Sequence, residues 1–333
     1  MSNVQADSAY QETFRILSVV IPCFNEKANV LPVYEAVRKH TSELAGTVEI
    51  ILIDDGSTDE TWQEIERLSD QQAGVTGLKL SRNFGKEAAI AAGLSRSAGD
   101  IVVLMDADLQ HPPALIPKMV HRWQQGGVEI VEAVKKSRGE ESGWKKVSAR
   151  VFYAVFGKLA ELDITDASDY KLLSRKALDA WKALPERNLF FRGMSVWIGY
   201  PRAEIEFSVP GRVSGQSGWR LMKLGRLAIS ALTSYSSAPL RVVGLTGLLF
   251  GLFAIVLSVQ TLGNYFSGRA VSGFTTVIIL LLMVGAAILF GLAIIGEYIA
   301  RIYDEIKARP RYLIEQISGE ARPAQGEKIV APK

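Results

Sequence analysis

Short apolar runs closed by Asp, Gly or Pro alternate with helical periodicity along the first part of the chain. Residues 17–21 form a β-branched run ended by Pro22, and 48–53, 77–80, 101–105 and 128–134 repeat the pattern. Runs of that length and composition predict five strands. Between them the apolar spacing predicts helices over 28–44 and 60–72, an alanine-rich helix ending near Ser97, and a helix over 114–125. Pro112 and Pro113 stop the fourth strand and suit the first turn of the helix that follows. Strands alternating with helices imply a mostly parallel sheet covered on both faces. After Val134 the rhythm changes. A basic stretch opens an amphipathic helix through Leu162, short helices begin at Arg175 and Phe190, and 202–209 alternates like an edge strand.

The last third carries a different pattern. From Trp219, the cations Arg220, Lys223 and Arg226 recur every three residues beside Leu221, Leu224, Ala228 and Leu232, which suits a helix lying at a membrane surface. Residues 242–268 and 270–296 are uncharged, each longer than the ~20 residues that cross a bilayer. Cations crowd the outer flanks (Arg241 before; Arg301, Lys307, Arg309 and Arg311 after), while the connecting loop offers Arg269 alone. The positive-inside rule then places both termini and the α/β domain in the cytoplasm. The second long helix is expected to continue outward and stop near Pro310, leaving a polar, disordered tail. The expected organisation is a polar segment 1–16, an α/β domain 17–217, an amphipathic juxtamembrane helix 218–237, two spans within 238–300, and a C-terminal helix and tail 301–333.

Composition adds little to this picture. Of 333 residues, 48% are hydrophobic, and the excess sits in those two stretches. A net charge of +3 leaves no nucleic-acid footprint, so placement of charge matters more than its sum. Cys23 is the single cysteine, so no intrachain disulfide forms. His40, His111 and His121 lack zinc-ligand spacing and read as surface or packing residues.

The chemistry gathers where strands end. Glu26 follows the first strand, Asp54 and Asp55 the second, Asp106 and Asp108 the fourth. Read alone, an Asp-x-Asp is more often a solvated turn or a cap. Residues at the carboxyl ends of parallel strands, however, face one crevice, and five carboxylates there would repel one another unless some bind donors and others a cation. A nucleotide diphosphate with a hard divalent ion meets both needs. No G-x-G-x-x-G follows the first strand and no G-x-x-x-x-G-K-[ST] occurs, which argues against a dehydrogenase or P-loop NTPase.

Pro22-Cys23-Phe24-Asn25-Glu26, Asp54-Asp55-Gly56-Ser57-Thr58-Asp59, Arg82-Asn83-Phe84-Gly85-Lys86-Glu87 and Asp106-Ala107-Asp108-Leu109-Gln110 resemble, in order, the motifs of family 2 (GT-A) glycosyltransferases. Leu184-Pro185-Glu186-Arg187-Asn188-Leu189-Phe190, Gly296-Glu297-Tyr298 onward and Arg309-Pro310-Arg311-Tyr312 narrow the resemblance to bacterial polyprenyl-phosphate glycosyltransferases of the bactoprenol glucosyltransferase type, with dolichol-phosphate mannose synthases more distant. It covers about residues 17–317. The resemblance implies a Rossmann-like GT-A domain followed by an interfacial helix and two transmembrane helices, in the bacterial inner membrane. It implies that Pro22, Asn25, Glu26, Asp54, Asp55, Gly85, Lys86, Asp106 and Ala107 hold the nucleotide sugar, UDP-glucose being the favoured donor. Asp106 and Asp108, assisted by Gln110, would bind Mg2+ or Mn2+, and Asp169 would sit by the sugar or acceptor as a further catalytic residue. Arg138, Lys146, Ser148 and Arg212 would receive the phosphate of polyprenyl phosphate. Whether Lys86 meets base or phosphate stays open.

The implied reaction is transfer of a hexose to the lipid phosphate with inversion, in a lipid bilayer, with a homo-oligomer up to a tetramer compatible with a small two-span enzyme. Mannose, GlcNAc or aminoarabinose donors are alternatives that no residue here distinguishes. A processive polysaccharide synthase would carry a Gln/Arg-x-x-Arg-Trp element and more spans, and a transporter would place charge inside the membrane; neither pattern is present. A non-catalytic sugar-nucleotide binder would be expected to lose the acidic pair. One departure from the family matters: relatives read Arg-x-x-Gly-x-Ser-Lys near the acceptor, whereas here Ser217 is followed by Gly218 and Trp219.

Overall fold

The computed structural model describes residues 12–135, 168–184, 186, 190–207, 238–268 and 273–319. The described residues fall into two compact units. One is an α/β unit that includes the chain from Pro310 onward, and the other is built from the two long helices.

The α/β unit runs β1 (Ile16–Cys23), α1 (Lys27–Thr41), β2 (Thr47–Asp54), α2 (Thr61–Gln71), β3 (Val75–Leu80), α3 (Lys86–Arg96), β4 (Ile101–Leu104), a 3-10 turn (Pro113–Leu115) into α4 (Ile116–Gln124), and β5 (Ile130–Lys135). It continues with β6 (Lys171–Ser174), α5 (Arg175–Lys182), α6 (Phe191–Trp197) and β7 (Arg202–Phe207). After the two long helices, α7 (Ala238–Phe266) and α8 (Phe274–Lys307), β8 (Ile314–Gly319) completes it. The sheet has eight strands in the order β7-β5-β6-β4-β1-β2-β3-β8. β1 pairs parallel with β2 and β4, β2 with β3, and β5 with β7. Among the described strands, β6 and β8 run antiparallel to their neighbours.

Alternation along each strand divides the core into two layers. Leu17, Val19 and Ile21 of β1, Ile50 and Leu52 of β2, and Ile101 and Val103 of β4 face α1, α2 and α4. Val20, Ile51, Ile53, Val102 and Leu104 face α3, α5 and α6. Both faces are therefore apolar, as the continuous runs required. Helix α3 lies close against the sheet because it is built from small residues. A Cβ at Gly93 would come within 2.4 Å of Val20 and 2.6 Å of Ile53.

Two strands depart from the expectations. β6 joins β4 to β5 antiparallel, although Lys171-Leu172-Leu173-Ser174 is too short to announce itself. Its four residues are buried because the slot between two longer strands demands backbone partners. The C-terminal segment is the second departure. Helix α8 ends at Lys307, close to the expected stop, but residues 314–319 form a strand on the outer edge of β3 in place of a disordered tail. Ser318 Oγ accepts a hydrogen bond from Ser69 Oγ at 2.7 Å, and Tyr312, Ile314 and Ile317 pack on the α3 layer. Covering an exposed sheet edge is the physical gain. β7 occupies the opposite edge, as the alternation suggested. The basic helix expected after Val134 and the juxtamembrane helix lie outside the described residues.

In the helical unit, Val243–Asn264 has a mean hydropathy of 2.1 and Met283–Lys307 one of 2.0. Both are long and apolar enough to cross a membrane. Large side chains such as Leu248, Ile255, Leu289 and Phe290 are exposed, an arrangement that fits lipid better than water.

Candidate active site

β1, β2 and β4 release their chains at one edge, and the loops that follow enclose a cavity of about 270 Å³. Pro22, Glu26, Asp55, Gly85, Lys86, Asp106, Ala107 and Asp108 all line it. Asn25 and Asp54 do not stand among the lining residues; they brace the loops that do. Asn25 takes a left-handed backbone (φ 55°), donates its N–H to Ser57 Oγ at 2.9 Å, and accepts from the Thr58 N–H at 2.9 Å. Asp54 is fully buried; its Oδ1 accepts the Ser57 N–H at 3.1 Å, and its Oδ2 has no hydrogen-bond partner among the described residues. Burial raises its carboxyl above the ordinary value, against the Ser57 hydrogen bond. Asp55 is the partner that reaches the wall. Its two oxygens accept the N–H groups of Phe84 (2.8 Å) and Gly85 (2.9 Å), which ties the β2 loop to the loop before α3.

Gly85 (φ 98°) turns the chain into α3, and Lys86 is that helix's first residue. Its ammonium lies 2.6 Å from Asp106 Oδ1 and 2.9 Å from Asp169 Oδ2. Asp169 in turn receives Arg192 through two bonds, Nε to Oδ1 at 2.7 Å and Nη2 to Oδ2 at 2.9 Å. Burial alone would raise the Asp169 carboxyl, but Arg192 and Lys86 outweigh it and hold it well below the usual carboxylate range. Burial likewise pulls against the Lys86 ammonium, and Asp169 and Asp106 reverse it, so its proton is held more tightly than usual. Asp169 is thus ionised, and two cations are mounted on it.

Behind this trio stands a buried ion pair. Lys171 and Glu132 have side chains 1% and 3% exposed and lie 3.3 Å apart. Lys171 also donates to Ser195 Oγ at 2.6 Å, and Ser195 Oγ donates to the Arg192 carbonyl at 2.9 Å. Glu87, next to Lys86, accepts the Phe191 N–H at 2.8 Å at the start of α6. Helix α6 is therefore pinned from both sides, and Arg192 is its second residue.

The acidic pair is set by a histidine. The Asp106 N–H donates to His111 Nδ1 at 3.0 Å, and the His111 ring stacks on Tyr170 with centroids 5.0 Å apart. Burial lowers the imidazole's affinity for a proton, so the neutral ring carries its hydrogen on Nε2. Leu109 adopts φ 59°, and the Gln110 N–H closes a turn on Asp108 Oδ1 at 3.0 Å. Asp108 is exposed at the lip and Asp106 half-buried within. Gln110 is half-buried, and in this arrangement its backbone serves Asp108. Cys23 lines the same cavity, and burial and then the carboxylates of Glu26, Asp54 and Asp106 push its thiol far up, which favours the protonated form.

Oxygen donors at the end of β4 suit a hard divalent ion. Among the described residues no three acidic, imidazole or thiol side chains converge as a closed cage. Asp106 and Asp108 would supply two ligands and leave positions for diphosphate and water, so the donor set fits an ion shared with a substrate. Arg138, Lys146, Ser148 and Arg212 lie outside the described residues. Arg192, Glu87 and His111 join the site although no motif assigns them a role in it. A lone cation in the apolar run Phe190-Phe191-Arg192-Gly193, and a histidine directly after the acidic turn, were the available signals.

Residues 18–181 match the profile of Glycosyl transferase family 2. An uncharacterized glycosyltransferase of Synechocystis is 36% identical over 91% of this chain and 96% of its own length. A bactoprenol glucosyl transferase of Shigella phage SfX is 36% identical over 90% of this chain and 98% of its own. A prophage bactoprenol glucosyl transferase homolog of Escherichia coli is 34% identical over 90% and 99%. A looser likeness, with TM-score 0.49 and 23% identity over 66% of this chain and 80% of the other, is to glucosyl-3-phosphoglycerate synthase of Mycobacterium tuberculosis.

Proposed function

We propose, from the premise that the chain belongs to glycosyl transferase family 2, that it moves glucose from UDP-glucose to a polyprenyl phosphate with inversion at the anomeric carbon. The chain's nearly full-length similarity to bactoprenol glucosyl transferases supports the substrate class. The observation that carries the reading is the pairing of Asp106 and Asp108 in the wall of a cavity that Lys86 also lines, with Arg192 held behind Lys86 on Asp169.

A lipid phosphate is already an anion near neutral pH, so its oxygen can attack the anomeric carbon without a strong base. The new carbon–oxygen bond forms as the bond from that carbon to the donor's β-phosphate oxygen breaks, and UDP leaves with the electron pair. The protein's task is to place two anions side by side and stabilise charge that moves onto the diphosphate. Asp106 and Asp108 would hold Mg2+ or Mn2+, which neutralises that developing charge. Pro22, Glu26, Asp55 and Ala107 would wall the nucleotide, while Asn25 and Asp54 hold the loops in register. Asp169 orients Lys86 and Arg192; gripped at both oxygens, it is poorly placed to act as a nucleophile, which agrees with single displacement. Arg138, Lys146, Ser148 and Arg212 would take the acceptor phosphate, which Arg grips bidentately.

The charge flanking α7 and α8 supports a topology with the α/β unit and both termini on the cytoplasmic side of the bacterial inner membrane. A reporter fused after Lys333 should read cytoplasm, and an external signal would reverse the topology. The activity test uses purified protein, polyprenyl phosphate, Mg2+ and a panel of labelled nucleotide sugars. A glucosyl lipid of inverted configuration is expected. No lipid-linked sugar from any donor refutes the reading. Asp108→Ala should abolish turnover and leave the melting temperature unchanged; retained turnover removes its metal role.

A further inference from the structure

We infer that Lys86 is an internal counter-cation that occupies Asp106 until a divalent ion and the donor's diphosphate arrive together. This rests on the reading of Asp106 as a metal ligand. The Lys86 ammonium sits 2.6 Å from Asp106 Oδ1, a distance at which that oxygen's charge is already answered. A divalent ion on the same oxygen would stand beside a positive charge at contact range, and like charges there repel strongly. Among the described residues no other group answers Asp106 Oδ1, which has no hydrogen bond of good geometry. Its Oδ2 lies 3.9 Å from His111 Nδ1, and that nitrogen takes the Asp106 N–H as an acceptor. The histidine therefore brings no competing charge.

Lys86 has somewhere to go. Its second partner, Asp169 Oδ2, lies 2.9 Å away, so a small swing breaks the Asp106 contact and keeps the Asp169 one. Asp169 holds both of its Arg192 bonds meanwhile. The lysine is also 42% exposed and lines the cavity, so the diphosphate can meet it there. The exchange is balanced in charge: the ion replaces the ammonium on Asp106, and the diphosphate receives the displaced ammonium. Metal alone leaves that ammonium without a new anion, and diphosphate alone leaves Asp106 unanswered. Each ligand therefore raises affinity for the other, by the same factor in either direction. The site would resist a bare metal ion and close only on metal plus donor.

The test is Mn2+ binding to the full-length protein in detergent, followed by the electron paramagnetic resonance of free Mn2+, with and without UDP. Without UDP, Lys86→Met should bind Mn2+ at least tenfold more tightly than wild type, and Lys86→Arg, which keeps the charge, should stay weak. UDP should raise Mn2+ affinity by a much larger factor in wild type than in Lys86→Met. Lys86→Gln is measured beside it, so that a poorly folded methionine variant does not decide the matter. Unchanged or weaker Mn2+ binding in the uncharged variants overturns the inference, as does equal UDP coupling in wild type and variant. Asp106→Asn separates the two readings. If it abolishes a Mn2+ signal that the Lys86 variants leave unchanged, the metal role stands and the counter-cation fails. If no variant and no wild-type sample binds Mn2+ even with UDP, the metal role itself fails and takes the inference with it.

Discussion

Replacing Glu87 with Gln should make the protein more stable at alkaline pH and change nothing in acid. Glu87 stands in the first turn of α3, partly buried, and its Oε2 accepts the Phe191 N–H at 2.8 Å. Burial pushes its carboxyl from 4.5 up to about 7, with Asp169 adding to the rise while the Phe191 bond, Lys86 and Arg192 oppose it. The native state thus keeps a proton that the unfolded chain gives up near 4.5. Stability must then fall as pH climbs from there through about 7, and level off above. At ~1.4 kcal/mol per pH unit, that gap sets a ceiling of about 3 kcal/mol, which solvent at the carboxylate's open side screens to roughly half. Gln keeps the acceptor for Phe191 and carries no charge, so it recovers the loss. The readout is tryptophan-fluorescence melting of full-length protein in detergent. At pH 8, Glu87→Gln should melt about 3–6 °C above wild type, from ~2–4 °C per kcal/mol for a domain of this size. At pH 5 the curves should coincide. A separation independent of pH, or a wild type that is the more stable at pH 8, would refute the reasoning.

Lys171→Met strands the buried Glu132 carboxylate, leaving it, among the described residues, the Ser168 N–H, and should cost ~3–5 kcal/mol. Adding Glu132→Gln should recover most of that in the same melting assay, and a single variant within ~1 kcal/mol of wild type would show that the pair is not dehydrated. Gly56→Ala should weaken UDP binding by about tenfold or more in calorimetry. Gly56 has φ +64°, and a Cβ there would meet the backbone of Arg82 at 2.3 Å and of Asn83 at 2.5 Å. The left-handed backbone alone costs ~1–2 kcal/mol, and the clash would drive apart two loops of the cavity. Unchanged UDP affinity would mean that those loops do not shape the nucleotide site.

The central strands were legible because each is buried on both faces and therefore needs a continuous apolar run, a local property. β1 to β5 each lie on a run that composition alone marks out. The acidic strand ends were legible for a related reason: parallel topology sends successive carboxyl ends to one edge, so Glu26, Asp55, Asp106 and Asp108 had to meet. The two long helices were visible as uncharged stretches longer than any core helix requires. β6 and β8 were not. One is short and the other polar, and each becomes a strand because a neighbour offers unpaired backbone groups.

The same division runs through the site. Sequence alone determined which strand ends and loops arrive at the cavity's rim. Tertiary structure decided which of two adjacent carboxylates reaches it, Asp55 at the wall and Asp54 beneath. It also decided what Lys86 and Arg192 do. Lys86 meets Asp169 across 83 positions, and Arg192 meets it across 23. Neither pairing leaves a local trace, because an ion pair's partner is chosen by the packing that brings charges within reach and excludes water. A motif can announce that a lysine is present. Only the folded core turns that lysine toward Asp106.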